Sequence, residues 1–160
     1  MLYFWGMGGD MVSVRLAVES DLEPFLGLAR EVEPLFGPMV DNPDFVEGVK
    51  GAIKNGQVIC VVDKPYSQFI GTCVIDSESR TILWLAVTEK SRGNGAGAML
   101  VAAALERLGE GDPVQVTTFS EDLAESISAR KLYDSFGFKE VKAGEVNPAG
   151  YATVVMERPE

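Results

Sequence analysis

The chain has 160 residues, the length of one domain with one core. A hydrophobic fraction of 46% and a charged fraction of 24% exclude a disordered tail protein, a collagen-like repeat and a disulfide scaffold. Fourteen Lys and Arg against 24 Asp and Glu give a net charge of −10; such a body repels phosphate backbones, which argues against nucleic acid as a partner and favours a neutral or cationic one.

The chain contains no histidine. No Ser–His–Asp triad, Cys–His dyad or His-based zinc site can therefore be built, and no metal site is expected. Acid–base chemistry is left to Tyr, Cys, Lys, carboxylates or water. Cys60 and Cys73 lie in separate apolar segments without metal-ligand spacing, and read as buried reduced thiols of a cytoplasmic protein. The longest apolar run, Ala96 to Leu105, suits a buried helix and falls short of the ~18 residues of a membrane span.

Residues 1–11, beginning MLYFWGMGGD, read as an apolar N-terminal extension ahead of a domain over 12–160. The extension has no basic n-region and its apolar run is short for a secretory signal. Its Leu2-Tyr3-Phe4-Trp5 cluster should pack on the body or on a second subunit, so a homodimer is expected. A first strand follows where Val12, Val14, Leu16 and Val18 alternate with Ser13, Arg15 and Ala17. Ser20 reads as the N-cap of a helix running to Val32 and ended by Pro34. The segment from Glu33 to Met39 has neither helical nor strand periodicity. Asn42 and Pro43 open a second helix, which stops at Asn55-Gly56.

A strand meander comes next: 57–63 and 69–76 around the turn KPYSQ, then 81–87. A helix over 95–108, a strand over 114–119 and a helix over 123–136 closed by Gly137 lead to two last strands, 139–143 and 151–157. The order is β α α β β β α β α β β, an α/β domain without repeats or linkers.

Arg92-Gly93-Asn94-Gly95-Ala96-Gly97 joins an apolar strand to an apolar helix. Glycines admit a ligand close to the backbone, and a helix N-terminus offers free N–H groups and partial positive charge, a combination suited to pyrophosphate. The same glycines would also serve a simple tight turn. The spacing matches neither the dinucleotide fingerprint nor a P-loop.

The run LAVTEKSRGNGAGAML resembles the acetyl-CoA signature of the GNAT superfamily of N-acetyltransferases, R/Q-x-x-G-x-G/A, at Arg92, Gly95 and Gly97. ARKLYDSFGF resembles the superfamily's second signature at Ala129, Leu132, Tyr133, Gly137 and Phe138, and the element order agrees from Val12 to Glu157. The resemblance implies a mixed, mostly antiparallel sheet of about seven strands flanked by four helices, splayed between 81–87 and 114–119. It also implies acetyl-CoA as co-substrate and acetyl transfer to a primary amine on a small molecule or protein. A non-catalytic acyl-CoA-binding module is the alternative.

Carried over residue by residue, Leu85, Ala86 and Val87 would hold the pantetheine and thioester. Arg92, Gly93, Asn94, Gly95, Ala96 and Gly97 would hold the pyrophosphate, and Tyr133 would protonate the leaving thiolate. Ser126 stands where many members have a cofactor-binding Asn, and Gln115 lies in the strand where some have a Glu base. The candidates for that base here are Glu33, Glu121, Asp122 or a water chain. Glu33 and Phe36 are also candidates for the acceptor site.

Overall fold

Five successive apolar residues, Val58 to Val62, are all buried, and they alternate between two cores. That pattern requires a sheet covered on both faces. The computed structural model of the protein describes residues 3–7, 10–64, 68–120 and 123–159. In chain order the elements are β1 Tyr3–Met7, β2 Asp10–Leu16, α1 Leu22–Phe36, α2 Pro43–Lys54, β3 Val58–Lys64, β4 Gln68–Asp76 and β5 Thr81–Val87. They continue with α3 Ala96–Leu108, β6 Val114–Phe119, α4 Ala124–Ser135, β7 Lys139–Ala143 and β8 Thr153–Arg158.

The strands form a single sheet in the order β1-β2-β3-β4-β5-β6-β8-β7. Every neighbouring pair is antiparallel except β5 and β6, which are parallel and joined through α3. Helices α3 and α4 cover one face with a core built on Leu100, Val101, Ala104, Ile59, Cys73, Val116 and Phe138. Helices α1 and α2 cover the other, where Phe25, Ala29 and Val49 meet Val58, Cys60 and Val62.

The sheet has eight strands rather than seven. The extra one comes from the N-terminal extension: β1 pairs along its whole length with β2, Tyr3 opposite Val14 and Met7 opposite Asp10. The side chains of the Leu2–Trp5 cluster, the turn at 65–67, and Glu121 and Asp122 lie outside the described residues.

Helix α1 corrects two expectations. Its start is organised by Asp21 rather than Ser20: after a 3-10 turn at Glu19–Asp21, the Asp21 carboxylate accepts the Val18 amide at 2.7 Å and both guanidinium nitrogens of Arg15 at 2.7 and 3.1 Å. Burial works to raise Asp21, but the Arg15 and Val18 hydrogen bonds and the guanidinium charge outweigh it and hold the carboxyl below its usual range. The helix also continues through Pro34 to Phe36. A proline in the last turn forfeits one backbone bond, and packing of Phe36 against Trp84 and Phe119, at ring separations of 5.9 and 5.4 Å, compensates. Gly37 ends the helix with φ +101, at a point where a Cβ would lie 2.6 Å from the Pro148 side chain. Glycine lets the end of α1 dock against the β7–β8 loop.

Candidate active site

The parallel pairing of β5 and β6 lasts for two residues, Thr81 opposite Gln115 and Ile82 opposite Val116. Leu83 is then bulged out of the β4–β5 ladder, and the two strands diverge. A cleft of about 690 Å³ opens in the gap. Backbone groups of Leu83–Val87 on the β6 side therefore lack the ladder partners that sheet pairing would supply.

At the end of β5 the chain passes a 3-10 turn, Glu89–Ser91, and enters the glycine turn. The Arg92 guanidinium donates to the Val87 carbonyl at 3.2 Å, tying the turn to β5. Gly93 and Gly95 have φ of +80 and +87, and Gly95 is the N-cap of α3. No side chain caps this helix and its first turn carries no acidic residue, whereas α1, α2 and α4 carry Glu23, Asp44 and Glu125 there. Neither a capping side chain nor a first-turn carboxylate therefore offsets the positive end of α3.

The cleft gathers ten of the sequence-derived site residues: Leu85, Ala86, Val87, Arg92, Gly93, Gly95, Ala96, Gly97, Tyr133 and Phe36 all line it. Tyr133 comes from α4, packs edge-on against Phe138 at 5.5 Å and is 5% exposed. Burial, with a smaller contribution from neighbouring Cys73, raises its phenol above the ordinary value. Among the described residues none bonds to its hydroxyl.

Three expected residues sit elsewhere. Ser126 is fully buried on the inner side of α4, its hydroxyl donating to the Phe119 carbonyl at 3.4 Å; Ser128, two residues on, is the α4 serine in the cleft lining. Asn94 is exposed and folds back on its own loop, its amide nitrogen donating to the carbonyls of Ser91 and Arg92. Glu33 accepts the amides of Met39 and Val40 at 2.7 and 3.1 Å and is not among the lining residues. Those amides, Met39 first, hold its carboxyl below the usual range. Gln115 lies before the split and donates to Glu157.

A depressed carboxyl stabilises the fold above its unfolded pKa and loses that contribution as pH falls through the lower folded value. Glu33→Ala should accordingly melt at a lower temperature than the wild type at pH 7, and the gap should narrow below about pH 4. Thermal unfolding across pH checks this. If Glu33 only holds the loop, the pH profile of catalysis should keep its shape in the variant.

Other lining residues were not legible as a site, among them Trp84 on β5, Thr117, Thr118 and Phe119 on β6, Ser128 on α4, and Asn147 and Thr153 around the β7–β8 loop. The Asn-Pro dipeptide at 147–148 was a turn signal, and the turn forms: Asn147 Oδ1 accepts the amides of Ala149 and Tyr151 at 3.0 Å each. Its Nδ2 also donates to the Leu35 carbonyl at 2.8 Å, a contact across 112 positions that no local signal carries.

Both thiols are fully buried and pushed up to about 12 by burial. Neither can serve as a nucleophile near neutral pH. Among the described residues no group of His, Cys, Asp and Glu is arranged to hold a metal, and no helix is long and apolar enough to cross a membrane.

The chain superposes on an acetyltransferase of the GNAT family from Bacillus cereus with a TM-score of 0.73 at 16% identity, covering 94% of this chain and 98% of that one. A GNAT superfamily phosphinothricin acetyltransferase from Sinorhizobium meliloti, solved in complex with AcCoA, gives 0.71 at 18%, covering 92% and 88%. NAA60 from Arabidopsis thaliana, in complex with a bisubstrate analogue, gives 0.70 at 17%, covering 92% and 97%. At these identities the likeness is one of fold. No match is found among curated proteins. Sequence-level assignment comes from a family model, the acetyltransferase (GNAT) domain, which matches residues 54–140, the stretch that contains the diverging strand, the glycine turn and Tyr133. With that match over more than half of its length, and a sheet split where the fold requires it, the chain belongs to the GNAT acetyltransferase family.

Proposed function

We propose that the protein transfers the acetyl group of acetyl-CoA directly to a primary amine. The observation that carries this is the convergence on one cleft of three features: the free edge of β5, the uncapped N-terminus of α3, and the buried phenol of Tyr133. Acetyl-CoA would supply the activated acyl group as a thioester. The backbone groups of Leu85–Val87 that face the gap would pair with the pantetheine like a short added strand, the Val87 carbonyl exchanging its Arg92 contact, and an N–H there would stabilise negative charge developing on the carbonyl oxygen. The amides at the start of α3 would take the pyrophosphate, with the positive φ of Gly93 and Gly95 turning the backbone towards it. Tyr133 would give its proton to sulfur as the C–S bond breaks, and the proton that the attacking nitrogen loses would restore the phenol, directly or through water. The burial of Cys60 and Cys73 favours direct attack over an acyl-cysteine intermediate.

The test is thiol release from acetyl-CoA with a panel of primary amines, alongside calorimetric titration. Coenzyme A at about 100 times its Kd should add ~2.7 kcal/mol of stability and raise the melting temperature. A titration with no heat and no thermal shift would remove the coenzyme from the account. Binding without amine-dependent thiol release would leave a non-catalytic acyl-CoA-binding module.

A further inference from the structure

The cleft passes through the gap in the sheet, so its two halves have different walls. On the α3/α4 face stand the glycine turn, Arg92, Glu125 and Tyr133. On the α1 face stand Val32, Leu35 and Phe36 from the end of α1, Trp84 from β5, Thr117 and Phe119 from β6, with Asn147 and Thr153 at the rim. Three aromatic rings, Phe36, Trp84 and Phe119, stand in this second wall. Phe36 contacts both Trp84 and Phe119, and the rings continue outward to Phe25 behind Trp84 and Tyr151 behind Phe119.

Both charged residues among the described cleft lining, Arg92 and Glu125, belong to the other half. Of the α1 carboxylates flanking Val32 in the chain, Glu31 accepts the Glu89 amide and Glu33 the amides of Met39 and Val40. The polar groups at the rim are occupied as well. Asn147 uses its oxygen on two backbone amides and its nitrogen on Leu35, and Thr153 donates to the Glu145 carbonyl. Thr117 is exposed and is the hydroxyl on this half without such a commitment. Besides Thr117, the Trp84 indole N–H has no hydrogen-bond partner among the described residues. Both are neutral, so a charged acceptor body entering here would lose its water and meet no opposite charge in the described lining of this half, which is costly. A flat apolar body would gain ring contacts and bury area against three aromatics.

We propose that the acceptor is an amine carried on an uncharged aromatic body, seated against Phe36, Trp84 and Phe119 with its nitrogen pointing into the gap between β5 and β6. This rests on the acetyl-transfer reading above and specifies its substrate class. The acidic composition had left cationic acceptors open; the wall of this half of the cleft disfavours them.

The experiment measures kcat/KM by thiol release for three primary amines at fixed acetyl-CoA: phenethylamine, its ring-para carboxylate, and 1,5-diaminopentane. Phenethylamine should exceed each of the others by about tenfold or more. Phe36→Leu should raise KM for phenethylamine with little change in acetyl-CoA affinity. Thr117→Glu, at an exposed position, should shift the ratio towards the diamine by about tenfold, which a purely structural role for this wall would not do. Equal or better use of the carboxylate or the diamine by the wild type overturns the inference, and so does acetyl-CoA binding without transfer to phenethylamine; both leave coenzyme binding standing. Failure to bind acetyl-CoA in calorimetry overturns this inference and the acetyl-transfer reading together.

Discussion

Tyr133→Phe should lower kcat by about 10²-fold or more while leaving coenzyme A affinity almost unchanged. The substitution keeps the ring that packs on Phe138 within the α3/α4 core, so the fold and melting temperature should survive. What it removes is the proton. Burial raises the phenol above its usual value of ~10, so the group stays protonated at any working pH. Against a thiol near ~8.5, full transfer to a free thiolate is uphill. The phenol therefore acts first as a hydrogen-bond donor to the charge growing on sulfur as the C–S bond breaks, in a water-poor pocket that strengthens the interaction. The proton follows once the thiolate has formed and the phenolate can recover a proton from the amine. Two readouts follow. No limb of the pH profile should belong to Tyr133, and the defect should shrink for a thioester with a better leaving group. Steady-state kinetics on natural and activated thioesters check both, and a variant with wild-type turnover would take Tyr133 out of the chemistry.

Gly95→Val should reduce coenzyme A affinity by at least about 10²-fold. At φ +87 a β-branched residue is held in a region that costs on the order of 1–3 kcal/mol. A Cβ at this position meets no protein atom within 4 Å, so the substitution does not clash internally. Its side chain would instead project into open space at the N-cap of α3, next to the amides proposed to bind phosphate. Gly95→Ala separates the two effects: it carries the backbone penalty with less bulk, and should lose less affinity. Calorimetric titration, with far-UV circular dichroism to verify folding, measures both. Equal affinity in wild type and valine variant would place the pyrophosphate elsewhere.

Local signals were strong wherever one element decides its own structure. The alternation around Val14, the Asn42-Pro43 helix start and the helix closed near Gly137 all appear in the fold close to their expected places. The glycine turn was legible because its backbone needs positive φ at Gly93 and Gly95, a demand that residue type announces. Errors arose where a distant partner overrode a local rule. Pro34 should have ended α1, but the contact of Phe36 with Trp84 and Phe119 carries the helix on to Phe36. Ser20 is a good cap by type, yet Asp21 has Arg15 beside it and takes the position. Ser126 and Glu33 are polar residues at plausible spacing whose side chains are claimed by backbone groups of Phe119, Met39 and Val40.

The sequence by itself determined the element order, the glycine turn and the place of the tyrosine on its helix, because each depends on residues within a few positions of one another. Only the tertiary structure decided where the sheet opens, since the bulge at Leu83 and the two-residue pairing of β5 with β6 depend on register between strands far apart in the chain. It alone assembled the aromatic wall from Phe36, Trp84 and Phe119, whose side chains share one face of the cleft through three different elements. Backbone conformation is a local property of the chain, whereas a cleft is defined by surfaces that residue spacing does not encode.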